Sequence, residues 1–307
     1  MDKCYLILLY YCYTNIDDPE KFKEEHHSYC IEKGLLGRII IAHEGINGTV
    51  SGLRESCEAY MNHLKSNPIF SHIQFKIATH DAHAFQKLNV RVKPEIVNSG
   101  LRHIDPNKLT GKYISPKELK EVNDAILLDV RSNYEHKLGK FKNAITLDIE
   151  NFREFPYKIE SLKKYKDKKI ITYCTGNVKC EKASAYLLEH GFANVYQLHG
   201  GIIKYGDDTD GADFEGKCYV FDNRIAVEIN RSSPSVISRC YVCNEVCGRM
   251  VNCSNPTCNL HVPICEVCAD KQAGACSIKC QKNPKRRDYN GRGYYPRKLN
   301  GYNPCKH

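Results

Sequence analysis

The sequence lacks any apolar run long enough to cross a membrane. Its first apolar stretch, residues 5–13, is shorter than the roughly 20 residues that a bilayer span requires. Asp17, Asp18 and Pro19 follow it, and no small-residue cleavage site does, so we expect a buried strand there and not a signal peptide. We therefore expect a cytoplasmic protein with no membrane partner. No internal repeat and no flavin or haem motif is apparent, and nothing indicates an oligomeric state.

Acidic residues are nearly absent from the end of the chain. Residues 282–307 contain eight Lys and Arg residues and one acid, Asp288, a net +7 out of the formal +9 of the whole chain. Four tyrosines alternate with these cations: Tyr289, Tyr294, Tyr295 and Tyr302. Cations follow a phosphate backbone and aromatic rings stack on unpaired bases, so this basic tail is a candidate for contacting RNA. A solvated, disordered end is the other interpretation.

Cysteine, in contrast, is abundant and clustered. Nine of the 17 cysteines lie between residues 240 and 280, which in a cytoplasmic chain indicates metal binding and not disulfides. The spacing gives four pairs: Cys240 and Cys243, Cys253 and Cys258, Cys265 and Cys268, Cys276 and Cys280. Joining the first pair with the third and the second with the fourth predicts two interleaved structural zinc sites, with Cys247 and His261 left over. A single zinc site, or a metal-free segment of reduced thiols, remains open.

The first hundred residues predict an α+β domain. Strands are expected at 5–13, 35–42, 45–52 and 72–79, with helices at 19–33 and 53–65. The order β-α-β-β-α-β is typical of the ferredoxin-like fold, an antiparallel sheet with two helices on one face. Another strand is possible at 88–97, and the polar residues 101–113 are expected to form a linker.

Residues 114–210 predict a parallel α/β domain. Ser115, Pro116 and Glu118 are typical of a helix start. Short apolar strands then alternate with helices, and Cys174 stands directly after the strand at 169–173. Backbone N–H groups and the positive end of the following helix both favour a thiolate over a thiol at this position. A Cys-rich module follows at 211–281, before the tail at 282–307.

Four motifs in this middle segment resemble the rhodanese domain, in which a loop cysteine carries a sulfane sulfur as a persulfide. They are Asp129-Val130-Arg131, Glu135-His136, the loop from Cys174 to Cys180, and Gly200-Gly201-Ile202. The loop and its continuation, Cys174-Thr-Gly-Asn-Val-Lys-Cys180-Glu-Lys-Ala-Ser-Ala, are similar to those of the rhodanese-like tRNA uridine hydroxylases, the tRNA 5-hydroxyuridine synthases. Members of that family also have a segment like 43–49 and a Cys-rich end.

This resemblance implies oxygen-dependent hydroxylation of the wobble uridine 34 of tRNA to 5-hydroxyuridine. Molecular oxygen would be the co-substrate and the tRNA anticodon loop the partner. The implied reactive groups are Cys174 and Cys180, although Cys180 fits a packed thiol equally well. The implied substrate-binding residues are Thr175, Gly176, Asn177, Lys179, Lys182, Arg131, His43, Glu44 and Asn47. An ordinary hairpin turn would also account for the segment from His43 to Asn47.

One departure from the family concerns the loop, and two other functions compete with hydroxylation. Residues 177–179 read Asn-Val-Lys where the family usually has Gly-Ile-Arg, and lysine keeps the charge but loses the planar fork of arginine. A sulfurtransferase that moves sulfur through Cys174, or a non-enzymatic RNA-binding module, would use the same features.

Overall fold

The computed structural model describes residues 4–291 and 293. The chain divides into two compact units, one ending at Val236 and the other beginning at Ile237. Within the described part of the chain, no helix combines the length and the apolar character that a membrane crossing needs.

The amino-terminal domain is an open sheet with two helices on one face. Its elements are β1 (Tyr5–Tyr13), α1 (Pro19–Glu32), β2 (Leu36–Ala42), β3 (Gly45–Leu53), α2 (Arg54–Ser66), β4 (Gln74–His80) and β5 (Leu88–Val92). The strand order is β4-β1-β3-β2-β5, antiparallel except for the β2–β5 pair. The predicted ferredoxin-like order is confirmed. The strand expected at 88–97 ends at Val92, and Pro94, which has no N–H, follows closely.

The two faces of this sheet have different neighbours, because successive side chains of a strand point to opposite faces. On β1, Leu6, Leu8 and Tyr10 belong to the apolar core that the two helices cover. Leu9 and Tyr11 point the other way and line a pocket shared with the next domain.

The second domain is built on a five-stranded parallel sheet. Its elements are β6 (Lys112–Ile114), α3 (Pro116–Glu121), β7 (Ile126–Asp129), α4 (Asn133–His136), β8 (Gly139–Phe141), β9 (Ile145–Thr146), α5 (Ile159–Leu162), β10 (Lys169–Tyr173), α6 (Val178–Glu189), β11 (Asn194–Leu198) and α7 (Gly201–Thr209). The sheet order is β6-β11-β10-β7-β9, so β10 lies at its centre. The predicted parallel α/β architecture is confirmed, and its central strand is the one that ends at Cys174.

The segment expected to be a linker, residues 101–113, packs against the second domain. Leu101 and Ile104 are buried against Ala185 of α6. Lys112 and Tyr113 belong to β6, the edge strand of the parallel sheet. The segment is therefore part of the second domain, although it was expected to be a linker in front of that domain.

The boundary of the Cys-rich module also differs from the expected residue 211. β12 (Phe214–Tyr219) pairs antiparallel with β8 and with β13 (Ala226–Glu228). Phe214 and Cys218 are fully buried in the core of the second domain. Residues 211–236 thus belong to the first compact unit, and the second unit begins at Ile237.

The second unit is small and rich in cysteine. A hairpin of β14 (Met250–Asn252) and β15 (His261–Pro263) is followed by two short helices, α8 (Glu266–Lys271) and α9 (Ile278–Gln281). Six buried cysteines make up much of its apolar cluster, together with Val251 and Ile264.

Candidate active site and metal clusters

The loop between β10 and α6 holds Cys174 where the central strand ends. Asn177, the N-cap of α6, has a φ of 85°, a left-handed conformation that asparagine tolerates better than most residues. The first turn of α7 fixes the loop from the other side, as the N–H of Ile202 donates to the Cys174 carbonyl oxygen at 3.0 Å. A Cβ at Gly201 would lie 2.5 Å from that same oxygen, so only glycine fits there.

The surroundings of Cys174 favour its thiolate. Burial alone would raise its pKa, but a hydrogen bond from the Cys180 thiol, the charge of Lys179 and backbone N–H groups lower the pKa from 9.0 to about 6. The N–H of Asn177 lies 3.2 Å from Sγ of Cys174. Burial raises the pKa of Cys180 well above its ordinary value, and the neighbouring Cys174 raises it further. The pair therefore consists of one thiolate and one thiol that donates to it.

Arg131 follows shortly after β7 and is fully buried. Its Nε donates to Oδ1 of Asp129 at 2.9 Å, and its Nη2 donates to Oδ2 at 2.6 Å. The same Nη2 also donates to the carbonyl oxygen of Gly139 at 2.7 Å. Arg131 thus ties β7 to β8, and it is not among the residues that line the pocket at Cys174.

Lys179 is held beside Cys174 by a buried carboxylate. Its Nζ lies 2.7 Å from Oε2 of Glu135, whose side chain is fully buried. The same Oε2 accepts the N–H of Ser132, which forms the capping box of α4 with Glu135. Two of the four rhodanese-like motifs, Glu135-His136 and the Cys174 loop, are therefore joined by an ion pair, which fixes the cation near the thiolate.

A pocket of about 310 Å³ opens above Cys174, and both domains form its walls. The loop supplies Cys174, Thr175, Gly176, Val178 and Lys179; the amino-terminal sheet supplies Leu9, Tyr11, Arg38, Ile40, Asn47, Gly48 and Thr49. Glu135, Ile96, Val97, Asn98 and Phe221 complete the lining. The floor of the pocket is the Cys174 sulfur, and most of the surface that lines the pocket is apolar.

The two domains meet through tyrosines of β1. The hydroxyl of Tyr11 donates to Oε1 of Glu181 at 2.8 Å, and that of Tyr13 donates to the Val178 carbonyl oxygen at 3.1 Å. Glu181 also accepts from Tyr113 at 2.7 Å. These bonds set the amino-terminal sheet against the first turn of α6, directly beside Cys174.

Lys182 joins the same two domains from the next turn of α6. It is fully buried, and its Nζ lies 2.7 Å from Glu44 and 3.3 Å from Glu95. Burial of Glu95 would raise its pKa, but the hydrogen bond from Ser99 and the charge of Lys182 bring it below its ordinary value. Lys182 and Glu44, both predicted from sequence to bind substrate, are thus paired with each other.

The other two candidate residues of the segment 43–49, Asn47 and His43, also have hydrogen-bond partners within the first unit. Nδ2 of Asn47 donates to the carbonyl oxygen of Ile96 at 2.9 Å, and Asn47 lines the pocket as well. The ring of His43 is hydrogen-bonded to the Ile16 carbonyl oxygen at 3.0 Å, and it is not among the lining residues.

The cysteines of the second unit form two groups of four. One group is Cys240, Cys243, Cys265 and Cys268, and the other is Cys253, Cys258, Cys276 and Cys280. Within each group the four Sγ atoms lie within 4.8 Å of one another, so each group could hold a metal ion. The pairs Cys243–Cys265 and Cys258–Cys276 both have Sγ atoms 3.7 Å apart. A Zn–S bond of about 2.3 Å in a tetrahedron requires sulfurs about 3.8 Å apart, so the geometry fits zinc.

Most of the basic tail lies outside the described residues, including Tyr294, Tyr295 and Tyr302. Its described start is attached to the second unit. Arg287 donates to the carbonyl oxygen of Cys253 at 2.5 Å and to Oδ1 of Asn259 at 2.8 Å.

Comparison with known proteins gives relatives along nearly the whole chain. The chain is 60% identical to the tRNA uridine(34) hydroxylase of Cytophaga hutchinsonii, over 99% of both chains. It is 49% identical to the protein of that name from Acholeplasma laidlawii, over 94% of this chain and 92% of the relative. For the Shouchella clausii protein of that name the identity is 45%, over 93% and 91%. The chain belongs to the tRNA uridine(34) hydroxylase family.

Family models divide this member of the tRNA uridine(34) hydroxylase family into three parts. Residues 5–96 match the UPF0176 acylphosphatase like domain, and residues 115–208 match the Rhodanese-like domain. Residues 215–281 match the Rhodanase C-terminal model. The predicted family and the predicted rhodanese domain are both confirmed.

Sequence reasoning included Asn47 of the amino-terminal sheet among the substrate-binding residues, but it missed the contribution of β1 and of Phe221 to the pocket. Leu9, Tyr11 and Phe221 all line it, and none was a candidate site residue. A signal was present in β1, whose residues 5–13 are apolar or aromatic at nearly every position. Such a strand is covered on both faces, which indicates a second layer packed against it.

Proposed function

We propose that the chain hydroxylates carbon 5 of uridine 34 in tRNA, with Cys174 as the reactive thiol. The observation that carries this proposal is the thiol of lowered pKa at the floor of a pocket built by two domains. A relative of 60% identity bears the name tRNA uridine(34) hydroxylase, and this supports the choice of reaction.

The thiolate of Cys174 suits two roles in such a reaction. It can add to carbon 6 of the uracil ring, which makes carbon 5 electron-rich, or it can carry an oxidised sulfur. Both roles need the thiolate at neutral pH, and a pKa of about 6 provides it. Molecular oxygen is the proposed co-substrate, as the family resemblance implies: one oxygen atom enters carbon 5, and the other leaves as water with two electrons and two protons from an external two-electron donor. Cys180 donates a hydrogen bond to this thiolate, so we assign Cys180 the role of stabilising it.

The pocket-lining members of the predicted set are the proposed substrate contacts. These are Thr175, Gly176, Lys179 and Asn47, and the cation of Lys179 is well suited to a phosphate or a carbonyl oxygen. Asn177, Arg131, Lys182, Glu44 and His43 are hydrogen-bonded or ion-paired within the protein, so we assign them to positioning.

The proposed partner is the anticodon loop of tRNA, whose bases can be splayed out and inserted into a pocket. Because tRNA is the proposed substrate, the cytoplasm is the proposed compartment. The basic tail at 282–307 would add contacts to the RNA backbone and make binding salt-dependent.

Zinc is the proposed metal of both cysteine clusters. Four thiolates at tetrahedral spacing leave no open coordination position, so both ions would be structural. Cys247 lies in the same unit but in neither cluster.

Nucleoside mass spectrometry of tRNA tests the reaction. The host is a bacterial strain whose tRNA lacks 5-hydroxyuridine because its own hydroxylase genes are deleted. We expect the wild-type chain to restore the nucleoside and Cys174→Ala to leave it absent. Cys30→Ala is the matched control, since Cys30 is also buried but its pKa is raised by burial to about 12.

Three results would contradict the proposal. Full activity of Cys174→Ala would remove the thiol from the mechanism. Absence of 5-hydroxyuridine with the wild-type chain would reject the reaction itself. A wild-type chain that instead restores thiolated nucleosides would favour sulfur transfer.

A further inference from the structure

Phe221 is an exposed aromatic ring at the edge of the Cys174 pocket. It lies two residues after the end of β12, and 43% of its surface is exposed. It lines the pocket at Cys174 and also an adjoining pocket of about 370 Å³, together with Leu9 and Thr175. The ring therefore stands where the two pockets join.

The backbone at Phe221 is fixed on both sides. Val220 donates its N–H to the Ile225 carbonyl oxygen at 2.8 Å, and Nη2 of Arg224 lies 2.6 Å from Oδ2 of the buried Asp222. The N–H of Asn223 donates to the Ala84 carbonyl oxygen of the amino-terminal domain at 2.9 Å. A turn held by three such contacts presents the ring at a defined position.

The ring itself rests on other aromatic side chains. Its edge meets Tyr219, with centroids 5.2 Å apart and an angle of 76° between the planes. Tyr219 in turn meets Tyr134, at 5.0 Å and 81°. This row of three rings orients Phe221 without covering it, so its aromatic surface stays accessible.

A cation stands next to this ring. Nζ of Lys179 lies 6.0 Å from the centroid of Phe221 while it pairs with Glu135. An aromatic surface beside a fixed cation matches the two parts of a nucleotide, because bases stack on aromatic rings and phosphates pair with cations.

We propose that Phe221 stacks on the nucleobase that enters the Cys174 pocket and holds it over the sulfur. A base taken out of its stack loses its neighbours, and an aromatic side chain replaces them. The inference rests on the proposed function for the identity of this base, uridine 34. It assigns Phe221 a substrate-positioning role that no motif in the sequence indicates.

The test is a binding cycle with purified full-length protein. The probes are two anticodon stem-loop RNAs, one with uridine at position 34 and one with an abasic ribose there. We expect Phe221→Ala to weaken binding of the uridine RNA by about 5- to 150-fold, the usual range for one stacked base. The abasic RNA should bind both proteins with the same affinity, because it has no base to stack.

Two control variants complete the cycle. Phe221→Tyr keeps an aromatic face and should retain wild-type affinity. Tyr157→Ala removes an aromatic side chain that is 81% exposed and does not line the pocket, and it should change neither affinity.

Equal weakening of both RNAs by Phe221→Ala would overturn the inference, and so would unchanged binding of the uridine RNA. Failure of the proposed function would look different: the wild-type chain would make no 5-hydroxyuridine in cells, whatever the binding cycle gives. If the wild type does make it, Phe221→Ala should lower its level while Tyr157→Ala does not.

Discussion

At the scale of the residue, two cysteines six positions apart have pKa values that are shifted in opposite directions. Burial raises the pKa of both Cys174 and Cys180, since a low-polarity surrounding disfavours the anion. For Cys174 alone, hydrogen bonds from backbone N–H groups and from the other thiol, together with the charge of Lys179, then lower the pKa. The negative charge is therefore concentrated on the sulfur that lines the pocket.

Removal of the Cys180 donor should make Cys174 less acidic. In the wild type, alkylation of Cys174 by iodoacetamide should be half-maximal near pH 6, because the thiolate dominates above its pKa. We expect Cys180→Ala to move this midpoint to higher pH. Cys180→Ser keeps a hydroxyl donor and should leave it close to that of the wild type. Mass spectrometry of the Cys174 peptide measures the alkylation. A midpoint in the Cys180→Ala variant that is identical to the wild-type midpoint would contradict this role.

Loss of the Lys179 cation should affect stability as well as acidity. Lys179→Ala leaves Glu135 buried without its cation, which typically costs about 3–5 kcal/mol when one partner of a buried pair is removed. Lys179→Arg keeps the charge and should stay near wild-type stability. Urea unfolding measures both variants, and a loss below about 0.5 kcal/mol for the Ala variant would show that the pair contributes little.

At the scale of the element, α6 connects three parts of the first unit. Its first turn contains Cys180, whose thiol donates to Cys174. Glu181 accepts from tyrosines of β1 and β6, and Lys182 pairs with the carboxylates of Glu44 and Glu95. One helix therefore fixes both the reactive group and the domain that covers it.

The buried Lys182 should be a main support of this junction. Lys182→Met removes the cation and leaves two carboxylates facing each other, so we expect a loss of about 3–5 kcal/mol in unfolding free energy. Lys163→Met is the matched control, because its pair with Glu160 is exposed and such pairs contribute under about 1 kcal/mol. Equal stability of the two variants would contradict the proposed support.

The elements themselves could largely be predicted from the sequence. The alternation of strands and helices predicts the two five-stranded sheets, and cysteine spacing predicts the four pairs. Of the combinations that the spacing left open, the structure brings together the first pair with the third and the second with the fourth. Contacts between distant segments could not be predicted, because nothing near Lys182 in the chain points to Glu44. Arg131 is a related case: its motif marks the domain, but the motif does not reveal that its guanidinium also donates to the carbonyl oxygen of Gly139.

At the scale of the whole molecule, the two compact units depend on different sources of stability. The first unit has large apolar cores around its two five-stranded sheets. The second has a small core in which cysteines dominate, so metal binding would supply much of its folding free energy.

Metal removal should therefore act on the second unit alone. We expect two zinc ions per chain by elemental analysis, one in Cys243→Ser and two in Cys247→Ser, since Cys247 is in neither cluster. A chelator should increase hydrogen exchange from residue 237 onward and leave the β10 amides protected. A zinc-free protein with an intact second unit would refute the prediction.

The most direct test of the central claim is whether an anticodon loop covers Cys174. The measurement is the rate at which iodoacetamide alkylates Cys174, followed by peptide mass spectrometry, in the full-length protein at neutral pH. An anticodon stem-loop with uridine at position 34 should slow this reaction strongly at saturating concentration, whereas a fully paired RNA duplex of equal charge should not. An alkylation rate that stays the same with saturating stem-loop would contradict the account.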